Sequence, residues 1–291
     1  MTIWQEVQNN TSLYNDALLA GEGEDFHWHT HADAPHSSQV VCVSAIGTLR
    51  KLAAKNDVID RLLNLNTTEA DRNDWTIQLE QELPELLNEN GPGQPTSIDA
   101  LLTCSEAAFC LEAKFLTDAK HGFGSCSQAT TSPTPNCAGH HGVDSDQKTK
   151  TKAHCRLEVW DGRRSPRLYW SLGRAFFRED ALTEQQVSET CPFNGPSFQL
   201  MRNFLTAAAY AQKHKLKSFG VIVIAPQATS QRLDQQIESF RSEVLLPEYA
   251  DHIRLVTYEE YVQLLVDSDD EDAAKLACFL KEQCLPLATS D

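Results

Sequence analysis

Apolar and polar positions alternate with two different periods along this chain, and the switches between them lay out its elements. Over 37–55, "SSQVVCVSAIGTLRKLAAK", Val40, Val43, Ile46 or Gly47, and Leu49 or Arg50 recur at roughly helical spacing behind a Ser that can cap, which predicts a helix. Over 74–83, Trp75, Ile77 and Leu79 alternate with polar partners. That is the period of a strand, with Glu80 and Glu82 on the face opposite the apolar residues. The turn-rich "ENGPGQP" (89–95) then leads into strands over 97–103 and 107–115, split by the short polar break "TCSE".

Periodicity fades after residue 115. From 116 to 165 the chain is rich in Ser, Thr, Gly and His, the pattern of a long insertion or a metal-stapled loop. "RLYWSLGRAFF" (167–177) reads as a returning strand, and Phe198, Leu205 and Ala208 or Ala209 set a helix over 196–215 that opens on a Pro. The unbroken apolar run "SFGVIVIAP" (218–226) predicts a strand covered on both faces. A helix near 230–246, a strand over 253–258 and two acidic helices follow, with "DSDDED" (267–272) placing acids at the start of the last one. The order is helix, three-strand meander, helix, strand, helix, strand, helix. It predicts an α/β fold with a mixed central sheet flanked by helices, and residues 1–291 as a single domain with 116–195 as insertion or loop-rich subregion.

Composition narrows the partners. A hydrophobic content of 41% over 291 residues supports a sizeable core, while a formal net charge of −16 opposes any broad nucleic-acid surface, so a DNA contact would have to be local. No apolar run is long enough to span a bilayer and the first residues lack the features of a secretory signal, so the expectation is a cytoplasmic protein with no membrane partner. Nine cysteines without such a signal point to reduced thiols or metal ligation rather than disulfides. Cys42, Cys104, Cys110, Cys278 and Cys284 lie in apolar periodic segments as expected buried thiols.

Charge inside the predicted meander marks the chemistry. Side chains two apart on a strand share a face, so Glu112 and Lys114 project together, and antiparallel pairing about 103–106 brings Asp99 beside Glu112. Neighbouring carboxylates are tolerable when a divalent cation neutralises them, and hard oxygen donors suit Mg²⁺ or Mn²⁺. An adjacent amine can orient a water or stabilise charge on phosphate, which makes this a constellation for metal-assisted phosphodiester hydrolysis.

Asp99 followed by Glu112-Ala113-Lys114 in this order of elements resembles the PD-(D/E)XK nuclease superfamily, the restriction-endonuclease-like fold. "GQPTSIDALL", "CLEAKF", "FGSCSQ" and "CPFNGPSFQLMRN" are similar to a bacterial restriction-endonuclease family within it, over about residues 37–258. The resemblance implies an αβββαβ core and an Mg²⁺-dependent DNA endonuclease. Asp99, Glu112 and the Ala113 carbonyl would hold the metal, Lys114 would serve the attacking water, and Glu80 or Glu82 could add an acidic ligand. Ile98 departs from the superfamily's Pro. Two other readings stay open: a noncatalytic nucleic-acid-binding or regulatory module, and a nucleotide or small-phosphoester hydrolase.

Further candidates surround this group. Gln128 follows the lysine, and Gln199 and Arg202 open the next helix, whose positive end suits a phosphate. Lys148, Lys150 and Lys152 form the one concentrated basic tract, and His27, His29 and His31 could chelate a transition metal. Cys126, Cys137, Cys155 and Cys191, interspersed with His140, His141 and His154, could bind Zn²⁺ or an iron–sulfur cluster, though without a C-x-x-C pair. Cutting both DNA strands suggests a homodimer, and a methyltransferase or another defence-system partner is compatible with the resemblance.

Overall fold

The meander and the continuous apolar run meet in one five-stranded sheet. The computed structural model describes residues 37–65, 74–90, 95–115, 122–124, 126, 157, 166–178, 181, 193 and 196–286. Strands β1 (Thr76–Glu82), β2 (Ser97–Thr103) and β3 (Ala107–Ala113) pair antiparallel in sequence order; β4 (Ser218–Ala225) and β5 (Ile253–Thr257) then extend the sheet in parallel. Strand order is therefore β1-β2-β3-β4-β5, a mixed sheet of the α/β class.

Helices cover both faces. On one side are α1 (Ser38–Cys42, running on through the π turn Val43–Gly47), α2 (Lys55–Leu62), and, later in the chain, α6 (Tyr258–Val266) and α7 (Glu271–Phe279). On the other are α3 (Tyr169–Gly173), α4 (Phe198–His214) and α5 (Gln227–Glu243). β4 shows why its run is unbroken: Ile222 and Ile224 enter the first core while Val221, Val223 and Ala225 enter the second. Among the described residues no helix is long and apolar enough to cross a membrane.

Several elements differ from the sequence expectation. The helix expected over 37–55 divides in two. Arg50, Lys51 and Leu52 amides bond three residues back, which tightens and ends the first helix, and the Ala54 amide is taken by Asp270 Oδ2 at 3.0 Å before α2 begins. The stretch 167–177 is not a strand. Its aromatic residues pack as one helical turn, with Tyr169, Trp170 and Gly173 buried, and only Phe177 makes an isolated bridge, to Leu245. β3 ends at Ala113, although the Lys114 amide still bonds Ile224 O at 2.8 Å. Cys278 is exposed beside Glu282, because it lies on the outer side of α7; Cys42, Cys110 and Cys284 are buried thiols, and Cys104 is half-buried.

Asp270 closes this face. It caps α7 by accepting from the Asp272 and Ala273 amides at 2.8 and 3.0 Å while also accepting from Ala54, so one carboxylate joins α7 to the start of α2. Those amides, that of Ala273 foremost, hold its carboxyl below the ordinary aspartate range. Asp270→Ala should lower stability by about 1 kcal/mol in urea unfolding at neutral pH. Since the folded-state value is depressed, the deficit should shrink as pH falls from the ordinary aspartate range through it. A deficit independent of pH would contradict this account.

Candidate active site

Three carboxylates line up across the antiparallel half of the sheet. The register pairs Leu79 with Ala100 and Gln81 with Ile98, which sets Glu80 across from Asp99; pairing of Ala100 with Leu111 sets Asp99 next to Glu112 in turn. Asp99 leaves the ladder there, and its Oδ2 accepts from the Ala113 amide at 2.6 Å. Glu80 has φ +49, the left-handed region that a non-glycine residue enters at a cost. The strict alternation expected of β1 therefore breaks at Glu80. Its carboxylate accepts from Ser97 Oγ at 3.4 Å and from the Gln39 side chain at the start of α1, whereas Glu82 ends the strand exposed.

Glu112 and Lys114 do share a face, as a two-residue period requires. Lys114 Nζ lies 2.9 Å from Glu112 Oε1 and donates to Gln199 Oε1 at 2.7 Å, with the Phe123 ring beneath it at 5.5 Å. Glu112 is 2% exposed, and its Oε2 accepts from Asn203 Nδ2 at 2.7 Å. The first turns of α4 thus hold both ends of the pair. The segment 122–124 is tied to the same turns, through Gln199 N to Phe123 O at 2.8 Å and Phe198 N to Gly124 O at 3.2 Å.

Electrostatics follow from the crowding. Burial raises the Asp99 carboxyl well above its ordinary range, and repulsion from Glu112 and Glu80 adds to this, against the Ala113 amide and Lys114. Burial likewise pushes Glu80 up to about 7, opposed by the Gln39 and Ser97 hydrogen bonds and reinforced by Glu112. The Cys42 thiol and Tyr258 phenol, both buried near Asp99, are pushed up as well, chiefly by burial. Concentrated negative charge that is incompletely neutralised is what a hard cation relieves, so the donor set suits Mg²⁺ in kind. It is not a preformed cage: among the described residues no three His, Cys, Asp or Glu side chains stand together in a metal-holding group. The nearest donors are the Asp99 and Glu112 carboxylates, whose oxygens now engage the Ala113 amide, Lys114 and Asn203.

The other expected residues fall in different places. Gln199 meets Lys114 directly, while Arg202, one turn on, donates from Nε to Thr96 Oγ1 and faces Glu89. Cys126 is buried, and its amide bonds Phe193 O. Gln128, Cys137, Cys155, Cys191, His140, His141, His154, the histidines at 27–31 and the lysines at 148–152 lie outside the described residues. Sequence reasoning passed over Asn203 and Gln39. Asn203 had a signal: it sits on the apolar stripe of Leu200, Phe204 and Ala207, where a lone amide calls for a polar partner across the interface.

A family model described as Restriction Endonuclease associating with ARP matches residues 3–282. No curated protein matches the chain, and no solved structure does.

Proposed function

This chain belongs to the family of restriction endonucleases associating with ARP, and we propose that it is a Mg²⁺-dependent DNA endonuclease of the PD-(D/E)XK type. The observation that carries the reading is the Lys114 amine, 2.9 Å from Glu112 and bonded to Gln199, at the end of a row of carboxylates whose Asp99 member is forced well above its ordinary range. A partly buried row of acids, with Glu112 fully enclosed, repels itself, and a function that needs a cation there gives it a reason to exist.

In this reading Asp99, Glu112 and the Ala113 carbonyl hold Mg²⁺ or Mn²⁺. A cation held there would supply charge neutralisation at the scissile phosphate and a lowered pKa for a water. Lys114 orients that water and stabilises charge gathering on the phosphate oxygens, and Gln199 and Asn203 fix the two side chains that must keep their places. The positive end of α4 faces the same group and favours the phosphate further. Glu80 stands as a third acid at the rim. DNA is the proposed substrate, a homodimer would bring two sites to the two strands, and the family's description extends to this chain as an association with ARP.

The net charge of −16 favours a second reading, hydrolysis of a small phosphoester by the same residues. One experiment separates them: plasmid, linear duplex, single-stranded DNA and free nucleotides offered to the purified protein with Mg²⁺, Mn²⁺ or EDTA, beside Asp99→Ala. Metal-dependent cutting of DNA that is lost in the variant is the expected result. Turnover of nucleotides alone would select the second reading, and identical behaviour of parent and variant on every substrate would remove both.

A further inference from the structure

Among the described residues, Arg202 commits only the Nε of its guanidinium to protein partners. Its neighbour Glu89 is a buried carboxylate on the turn after β1, 2% exposed, and is already well supplied with donors. Thr96 N reaches Glu89 Oε2 at 2.5 Å, Thr96 Oγ1 reaches Oε1 at 2.9 Å, and the Tyr169 hydroxyl also donates to Oε1. An arginine present only to neutralise this acid would turn its fork onto it in two parallel bonds. Instead, only Nε faces inward, donating to Thr96 Oγ1 at 2.8 Å and lying 3.4 Å from Glu89. The guanidinium carbon sits 5.4 Å from the centre of the Phe198 ring, which adds a second support.

The two terminal nitrogens make no hydrogen bond among the described residues, and neither is buried. Their place is set by both anchors. Thr96 precedes Ser97, whose hydroxyl bonds Glu80, and Arg202 lies on α4 between Gln199 and Asn203, the residues that hold Lys114 and Glu112. Two N–H groups without a partner among the described residues, on a side chain that is 19% exposed and held at Nε, match two oxygens of a phosphate. Resting on the nuclease reading, we infer that Arg202, held by Thr96, Glu89 and Phe198, grips a backbone phosphate of the DNA neighbouring the one that is cut. This also supplies local positive charge in a chain whose overall charge opposes DNA.

The test is binding, not cleavage. Fluorescence anisotropy of a labelled duplex of about 30 base pairs, long enough to cover several phosphates on either side of a cut, follows the Asp99→Ala protein with Mg²⁺ over a salt series. Adding Arg202→Gln should weaken binding about tenfold, for the loss of a charge-assisted contact, and make the slope of log affinity against log salt shallower by about 0.9. Arg202→Lys, which keeps the charge and loses the fork, should keep the slope and bind several-fold more weakly. A purely structural role would lower the active fraction in a stoichiometric titration and leave the slope alone. Unchanged affinity and slope in Arg202→Gln overturn the inference, and so does unchanged affinity of Arg202→Lys where the Gln variant fails to fold. Absence of binding by the Asp99→Ala protein itself, at any salt, would overturn both this inference and the nuclease reading.

Discussion

Replacing Lys114 by alanine should slow Mg²⁺-dependent DNA cleavage by about a thousandfold, the usual effect of deleting a group that stabilises charge or handles a proton in the transition state. Two roles for the amine must be separated. Lys114 is the ammonium nearest Glu112, whose side chain is almost wholly buried, so alanine also leaves that carboxylate with Asn203 as its remaining partner. Because Lys114 itself keeps some contact with solvent, the stability loss should stay near about 2 kcal/mol, below that of a fully buried pair. Urea unfolding of the same sample measures it. Lys114→Arg then decides the role: it restores the charge beside Glu112 while placing a bulky fork where a compact amine stood. If Lys114 acts on water and phosphate, the arginine variant regains stability and stays at least about a hundredfold slow. Recovery of cleavage in Lys114→Arg would reduce the lysine to a counter-ion and move the chemistry elsewhere.

The strands that carry this group were legible because two periods dominate them. Charges two apart at Glu112 and Lys114, and a turn short enough to fold β2 onto β3, bring Asp99 next to Glu112 with little freedom of register. β4 was legible for a different reason, since only a strand buried on both faces tolerates eight residues with so little polarity. Helix α4 followed from its apolar stripe to within two residues of each end.

What was not legible depends on contacts far apart in the chain. Nothing local to "RLYWSLGRAFF" marks it as a helical turn; Trp170 is turned by packing on Phe177 and Phe193, and tertiary contacts override the apparent alternation. Asn203 finds Glu112 across 91 positions, and Tyr169 finds Glu89 across 80, distances at which no spacing rule operates. Glu80 is the sharpest case. Alternation put it on the polar face of β1 with Glu82, whereas the positive φ swings it out of that pattern and into the company of Ser97 and Gln39. Departures of this kind concentrate where function and local preference conflict, and here the departure lies beside the acidic row.

Glu80→Gln should therefore stabilise the protein in the absence of divalent cations at alkaline pH, an unusual direction for a change at a half-buried polar residue. In the folded chain its carboxyl is pushed up to about 7, first by burial and then by Glu112, from the ordinary glutamate value of about 4.5. The folded state thus holds a proton that the unfolded state releases across that interval, and stability falls as pH rises from about 4.5 to about 7. Above the upper limit the accumulated penalty is about 3 kcal/mol, at about 1.4 kcal/mol per pH unit. Glutamine retains hydrogen-bonding capacity towards Ser97 and Gln39 and carries no charge, so urea unfolding in EDTA should show it more stable by about 2–3 kcal/mol at pH 8, with the gap closing near pH 4.5. Added Mg²⁺ should narrow the gap from the other side, because a cation bound to the acidic row relieves the same repulsion in the parent and has less to relieve in the variant. An equal loss of stability in Glu80→Gln at both pH values would mean that the Glu80 hydrogen bonds outweigh its charge. In that case the row of carboxylates would be held by polar contacts in the apoprotein, and repulsion would no longer argue for a cation there.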